Sequence, residues 1–275
     1  MKLPAAGTTA ADAREALDAA MHACRGVSSF AAEVGVSGSV AGRRVRARLL
    51  AGLASPGSAR LEAVAPFGQP FFLFVARDND ATLLLPRDRR VIERGRAAEV
   101  LQAAAGVPLD ATDLRIALTG CAVGPRASEA TLAGPDWRIV PDGRGEVYLR
   151  REARDGPWRI VAAVRRGVTT GAPTAATTGV VAGAAAGTSS PAGPSWRAEY
   201  RDFPVGPGSD GLPRTVRLVS ADGRGFDLRL SLSQVETNPS LDAEVFSLRI
   251  PPGTAPITVE ELTRSGPLAG GEGVR

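Results

Sequence analysis

LEAVAPFGQPFFLFVA, running from Leu61 to Ala76, is the stretch on which the fold turns. It reads as a strand, a Pro66-Phe67-Gly68 break, and a second strand with apolar residues on both faces. A half-buried strand alternates inside and outside with period two. Phe71-Phe72-Leu73-Phe74-Val75 does not alternate, and Phe67 places a large aromatic at the tip of a turn. Both features need an account.

Working outward, Ala59 to Ala65 reads as the first of the two strands, and the period of two extends upstream. Phe30, Ala32, Val34 and Val36 share one face, with Glu33 and Ser37 opposite. Ala41-Gly42 fits a hairpin turn, and the return strand sets Val45, Ala47 and Leu49 against Arg44, Arg46 and Arg48. That arginine row reads as a solvated outer face. Before it, Ala11 to Cys24 has helical spacing, with Leu17, Ala20, Met21 and Cys24 on one stripe.

Downstream, Ala81 to Leu85 and a short strand near Val91 are separated by turn chemistry at Asp78-Asn79-Asp80 and Pro86-Arg87-Asp88. Two helices follow. Ala97 to Ala105 carries Val100, Leu101 and Ala104 on one side. A second helix, capped by Asp110 or Thr112, carries Leu114, Ala117, Leu118 and Cys121. Strands resume at Trp137 to Val140, Glu146 to Arg151 and Trp158 to Arg165. Gly167 to Pro194 holds no charge and no aromatic, so it cannot order itself by burial and reads as a disordered insertion in a loop. Strands at Trp196 to Phe203, Leu212 to Ser220, Phe226 to Val235 and Val245 to Ile250 precede a short helix, Val259 to Arg264.

The fold expected is mainly β (α+β), with about eleven antiparallel strands, a number at which a sheet curls. Two or three helices would cover its concave face, making a curved half-barrel with room for an apolar ligand. Residues 1–10 are expected to be a flexible lead-in, 11–265 a single domain containing the insertion at about 167–194, and 266–275 a flexible tail.

Composition narrows the function. Of 275 residues, 44% are hydrophobic, enough for a real core, and the net charge of +4 is dispersed along the chain. Nucleic acid binding needs basic charge gathered on one face, so that class is set aside. No apolar run approaches the roughly eighteen residues of a bilayer span. The start, MKLPAAGTTAADAR, lacks the apolar core of a secretory signal, which fits either a cytosolic protein or a chain whose leader is removed. The single histidine, His22, falls on the polar side of the first helix, and two cysteines lack metal spacing, so no metal site is expected. There is no GxSxG, no P-loop and no dinucleotide fingerprint; no catalytic residue, cofactor or enzymatic activity is expected.

The order of elements then carries a resemblance. RLEAVAPFGQPFFLFV, with its Pro66-Phe67-Gly68 turn, precedes AAEVLQAAAGVPLDATDLRIALTGC, with a Gly106-Val107-Pro108-Leu109 joint, Leu114 and a closing Leu118-Thr119-Gly120. VETNPSLDAEVFSLRIPPG follows near the end. Together these resemble the LolA/LolB lipoprotein-localisation family, most closely its outer-membrane receptor branch, over roughly Ala11 to Cys121 and more weakly beyond. The resemblance implies a hydrophobic cavity that takes lipoprotein acyl chains and passes them to the inner leaflet of the outer membrane. It implies a periplasmic setting, or the periplasmic face of the outer membrane, and a periplasmic carrier of the same family as partner. No covalent chemistry is implied, and the chain is expected to be a monomer.

On that resemblance the cavity would be lined by Leu17, Met21, Phe30, Val34, Leu49, Leu61, Phe71, Leu73, Val75, Leu101, Leu114, Leu118, Trp158, Ile160, Phe226 and Leu228. Pro66, Phe67 and Gly68 match the family's membrane-inserting loop; the alternative is that Phe67 folds back onto the core. Phe71 to Val75 would face the cavity on one side and helix or membrane on the other, or be a strand buried on both faces. Cys24 and Cys121 both end apolar helices over one sheet, so in an oxidising periplasm they can pair, or remain two buried thiols. An alternative function is an envelope interaction or stress-sensing module with a filled interior. The family's receptor is anchored through an N-terminal cysteine, which has no match before Cys24 here, and the long uncharged insertion is not part of the resemblance.

Overall fold

A computed structural model describes residues 1–64, 70–122, 124–125, 127–167, 193–206 and 209–265. The Pro66-Phe67-Gly68 turn, nearly all of the 167–194 insertion and the 266–275 tail lie outside the described residues. The chain opens with α1 (Ala13–Ala20) and a 3-10 turn to Cys24, then β1 (Ser29–Val40), β2 (Arg43–Ala54), β3 (Ser58–Val64), β4 (Phe72–Arg77), β5 (Asp80–Leu85) and β6 (Arg90–Arg96). Next come α2 (Ala97–Ala105), α3 (Ala111–Thr119), β7 (Thr131–Leu132), β8 (Trp137–Asp142), β9 (Gly145–Arg150) and β10 (Arg159–Gly167). β11 (Gly193–Arg201), β12 (Thr215–Ser220), β13 (Phe226–Thr237), β14 (Ala255–Pro256) and α4 (Val259–Ser265) complete it.

The strands form one open sheet in the order β14-β6-β5-β4-β3-β2-β1-β13-β12-β11-β10-β9-β8-β7. It is antiparallel except for β14, which lies parallel to β6. Two meanders, β1 to β6 and β7 to β13, are joined where β1 pairs with β13 from Phe30↔Thr237 to Val40↔Phe226. Ala41 and Gly42 both take positive φ in the β1–β2 turn, the handedness that matches strand twist. The sheet has 14 strands, not about eleven; two of them, β7 and β14, are two-residue edge pairings too short to show as a pattern. Four helices accompany it among the described residues, one more than the two or three expected to cover it.

The concave face is apolar. Phe30, Val34 and Val36 from β1, Leu61 from β3, Phe74 from β4, Leu83 from β5 and Leu228 from β13 are buried there with Val100, Leu101, Leu114 and Leu118 of α2 and α3. Gly106 ends α2 in the left-handed region, φ 73°, and a Cβ there would come within 2.2 Å of Val40 Cγ1. The helix therefore turns back only because this position has no side chain. The mouth of the helix layer thereby rests on the tip of the β1–β2 hairpin.

The unbroken apolar run in β4 is explained by the chain after β13. Phe72 and Phe74 pair with Ala63 and Leu61 and face the concave side. Val75 pairs with Arg60, whose guanidinium donates to the carbonyl of Val245 on the convex side. Arg77 donates to the carbonyls of Phe246 and Ala243. Residues 238–250 thus form a strap across the outside of β3 and β4, with Phe246 buried beneath it at 5% exposure. β4 is buried on both faces. Val245 to Ile250, expected as a strand, is this strap: its 3-10 turn Ala243–Phe246 and the extended residues beyond it make no ladder. It leads into β14 and then α4, which begins with reciprocal Thr258 and Glu261 capping bonds and packs on α2. The lead-in expected to be flexible makes defined contacts: Thr9 bridges Thr131, Leu132 N–H donates to Thr8, and Ala10 is buried.

Candidate functional site

Between α2–α3 and the β3-β2-β1-β13-β12 part of the sheet lies a cavity of about 110 Å3. Val34, Val36 and Val40 line it from β1; Val45, Ala47 and Leu49 from β2; Leu61 from β3; Phe72 from β4; Leu228 and Leu230 from β13; Leu218 from β12. Leu101, Ala104, Ala105, Val107, Leu109, Leu114, Ala117 and Leu118 close it from the helices. Every one of these side chains is apolar, so the site offers burial and no side-chain hydrogen bond to a ligand. Val40, Val45, Ala47 and Leu49 are only half-buried, which places the opening at the hairpin tip.

Seven of the residues expected to line a cavity do so: Val34, Leu49, Leu61, Leu101, Leu114, Leu118 and Leu228. Leu17, Met21, Phe30 and Phe226 belong to the same core but stand off the space itself. Trp158 and Ile160 border a separate cleft beside Cys24, where Trp158 lies between the guanidinium groups of Arg138 and Arg151. Phe71, Leu73 and Val75 are one residue out of phase. Leu73 and Val75 point to the convex side, and Phe71 is 44% exposed with Arg87 stacked at 4.1 Å. Phe72, Val36, Val40, Val45, Val107, Leu109, Leu218, Leu230 and the small residues Ala47, Ala104, Ala105 and Ala117 line the cavity without having been expected there. The alanines had no signal of their own beyond lying on the helical stripe and the strand face.

No family model matches the chain, and no curated protein matches its sequence. Solved structures do match. A LolA superfamily protein from Nitrosomonas europaea superposes with a TM-score of 0.52 at 12% identity, covering 86% of this chain and 97% of its own. The chain has a LolA/LolB-like fold. Two further structures align over similar lengths. A domain from Vibrio parahaemolyticus described as outer membrane lipoprotein-sorting has a TM-score of 0.47 at 13% identity, covering 85% of this chain and 97% of its own. A DUF1329 family protein from Desulfovibrio piger has 0.48 at 11%, covering 86% and 97%.

In this LolA/LolB-like sheet the helical lid is tied down at both ends of α3. At the C-terminal end Cys121 is disulfide-bonded to Cys24, with Cα atoms 5.6 Å apart. The Tyr200 hydroxyl donates to the Ile116 carbonyl at 2.6 Å. At the N-terminal end Asp110 caps the helix by accepting the Asp113 N–H at 2.7 Å. Arg144, from the β8–β9 turn, donates to Asp110 at 3.0 Å and to Asp113 at 2.9 Å. Arg165 and Asp142 form a buried pair beside them at 2.8 Å, reaching across β9 at Gly145. A Cβ on Gly145 would come within 1.9 Å of the Val164 carbonyl oxygen. This polar cluster on the concave side was not anticipated from the sequence. Its arginines pair with carboxylates, so it acts as a latch. Among the described residues no group of three His, Cys, Asp or Glu side chains could hold a metal.

Burial, helped by the neighbouring Asp110 charge, pushes the Asp113 carboxyl up to about 6, against the pull of Arg144 and Arg165. The folded value lies above the unfolded 3.8, so the stability from Asp113 is fully present below that value. It is lost as pH rises through about 6. Urea unfolding between about pH 5 and pH 7 should therefore show a midpoint that falls with rising pH. In Asp113→Asn, which keeps the shape without the charge, that slope should flatten. Parallel curves for the two proteins would contradict the assignment.

Proposed function

We propose that the protein is a non-enzymatic binder of lipoprotein acyl chains, which it holds between sheet and lid and passes toward the outer membrane. The observation that carries this is the all-apolar cavity under α2–α3, open at the β1–β2 hairpin tip. Its setting would be the periplasm or the periplasmic face of the outer membrane. No helix of the described residues is long and apolar enough to cross a bilayer. Affinity would come from burial, about 0.8 kcal/mol per methylene. Transfer then requires only that the next site bury more of the chain. Phe67, in the turn outside the described residues, is assigned the role of dipping into the bilayer during hand-over.

The volume defines what must move. About 110 Å3 is well below the ~300–1,000 Å3 that encloses a drug-sized ligand, so a whole acyl chain requires the lid to separate from the hairpin. With α3 tied at both ends, that movement belongs to α2 and the Gly106 joint resting on Val40. The same small volume favours a second reading, an interaction or stress-sensing module whose interior is filled by its own side chains.

Organic extraction of the purified protein followed by mass spectrometry separates the two. Acyl lipids recovered with the protein, or taken up from an acylated peptide, are the expected result. Protein that is always empty and ignores the acylated peptide would leave the filled-interior module as the reading.

A further inference from the structure

Among the described residues the strand directions bring four turns to the end of the sheet where the cavity opens: Ala41-Gly42, the β5–β6 turn at 86–89, the β8–β9 turn that carries Arg144, and the β12–β13 turn at 221–225. Arg43, Arg44 and Arg46 stand on the first hairpin, Arg89 on the second turn and Arg224 on the fourth, all exposed. Among the described residues none of these five side chains has an ion pair or a hydrogen-bonding partner. Several arginines elsewhere are paired instead: Arg48 with Glu33, Arg217 with Asp227, Arg144 with Asp110 and Arg165 with Asp142.

The acids at this end are fewer than the arginines. Asp222 accepts from the N–H groups of Arg224 and Gly225 in its own turn and keeps its charge there, and Asp227 is engaged by Arg217. Asp88 is the remaining exposed acid, beside Arg89. Apolar groups sit among the charges. Val40 and Val45 form the half-buried lip of the cavity, and the exposed Phe71 ring lies under Arg87. Arg44 and Arg46 project from the convex face of the strand whose Val45 and Ala47 line the cavity, about 7 Å apart along it.

We propose that this end seats on an anionic lipid bilayer, with Arg43, Arg44, Arg46, Arg89 and Arg224 taking phosphate headgroups and the apolar lip presented to the acyl region. Unpaired guanidinium groups from separate turns, at the same end of the sheet as an apolar opening, match a surface of many equivalent anions better than one partner's fixed carboxylates. Docking needs only the arginines. Its use in aligning the cavity with the membrane rests on the acyl-chain reading, and the two are tested apart.

The test is sedimentation with vesicles of phosphatidylcholine alone or with a minority of phosphatidylglycerol, at about 0.15 M ionic strength. The protein is expected to sediment with the anionic vesicles and not with the neutral ones. The double variant Arg44→Glu, Arg46→Glu should bind them more than about thirtyfold more weakly, and Arg44→Lys, Arg46→Lys close to normally. Both variants are at exposed, unpaired positions, and an unchanged melting temperature confirms that each is folded. Equal binding to both vesicle types, or a Glu variant that binds as well as the parent, overturns the proposal. So does capture by soluble polyglutamate without preference for anionic vesicles, which would point to an acidic protein. Acyl-probe uptake is measured in solution without vesicles. Intact docking with no uptake sinks the cavity reading and supports this one.

Discussion

Replacing Asp142 by alanine is expected to cost about 3–5 kcal/mol of folding stability, enough to take a marginal domain close to unfolding. The reason is the partner left behind. Arg165 is 4% exposed, its Nη2 donates to Asp142 at 2.8 Å, and its Nε already has no hydrogen-bond partner. Without the carboxylate a buried guanidinium would lose its hydrogen-bonded partner and keep only the attraction of Asp113, beside Trp196 on the neighbouring strand. The pair itself adds less than this figure, because both ions were taken out of water to form it. Asp142→Ala combined with Arg165→Met should therefore recover much of the loss. Chemical denaturation of the two single variants and the double variant measures this directly. A double variant as unstable as Asp142→Ala alone would contradict the account.

Loss of the disulfide is expected to be nearly as severe, about 2–5 kcal/mol, and to act on the lid. Cys24 and Cys121 are 97 residues apart in sequence, so the bond closes a loop that holds the whole first meander and both lid helices. Opening it releases chain entropy to the unfolded state, and a loop this long puts the effect toward the upper end of the range. In the folded state it frees the C-terminal end of α3 from the turn after α1, leaving the Tyr200 bond and the Arg144 latch to hold the helix. Cys24→Ser with Cys121→Ser should lower the melting temperature markedly. It should also raise amide exchange in α3 above that in β1 and β13. A melting temperature within about one degree of the parent would show that the bond carries little of the fold.

Much of this was legible in the sequence where periodicity is local. The β1–β2 hairpin, its turn and the Val100-Leu101-Ala104 stripe each announce one buried face within a dozen residues. The phase of β4 was not legible, because Phe71 to Val75 is apolar throughout and no alternation marks the inner side. What buries its outer side, the strap around Phe246, comes from about 170 residues downstream. The strap itself alternates like a strand, with Phe246, Leu248 and Ile250 against Ser247 and Arg249, yet lies across a sheet face without pairing. β7 and β14 are too short to carry any period. The latch of Asp110, Asp113, Asp142, Arg144 and Arg165 draws on the start of α3, the end of β8, the turn after it and β10, and only the cap at Asp110 had a sequence signal. Of the positions expected at a cavity, those on the middle of β1 to β3 and on the lid stripes border the space, and large residues on the same stripes at other heights, such as Leu17, Phe30 and Phe226, do not. Period alone gives the face of an element and not the height along it, so Phe72, Leu218 and Leu230 had no signal separating them from the rest of the core.

The central claim is that the space under α2–α3 admits a hydrocarbon chain, and a titration in solution tests it most directly. A fluorescent long-chain acyl probe should bind with one-to-one stoichiometry. Ala104→Phe, which grows a ring into the cavity from a buried lid position, should weaken binding at least about tenfold and lower the melting temperature by the modest amount that overpacking costs, with the variant still folded at the assay temperature. No saturable binding by the parent protein, or equal binding by a folded Ala104→Phe variant, would place the chain elsewhere and contradict the account.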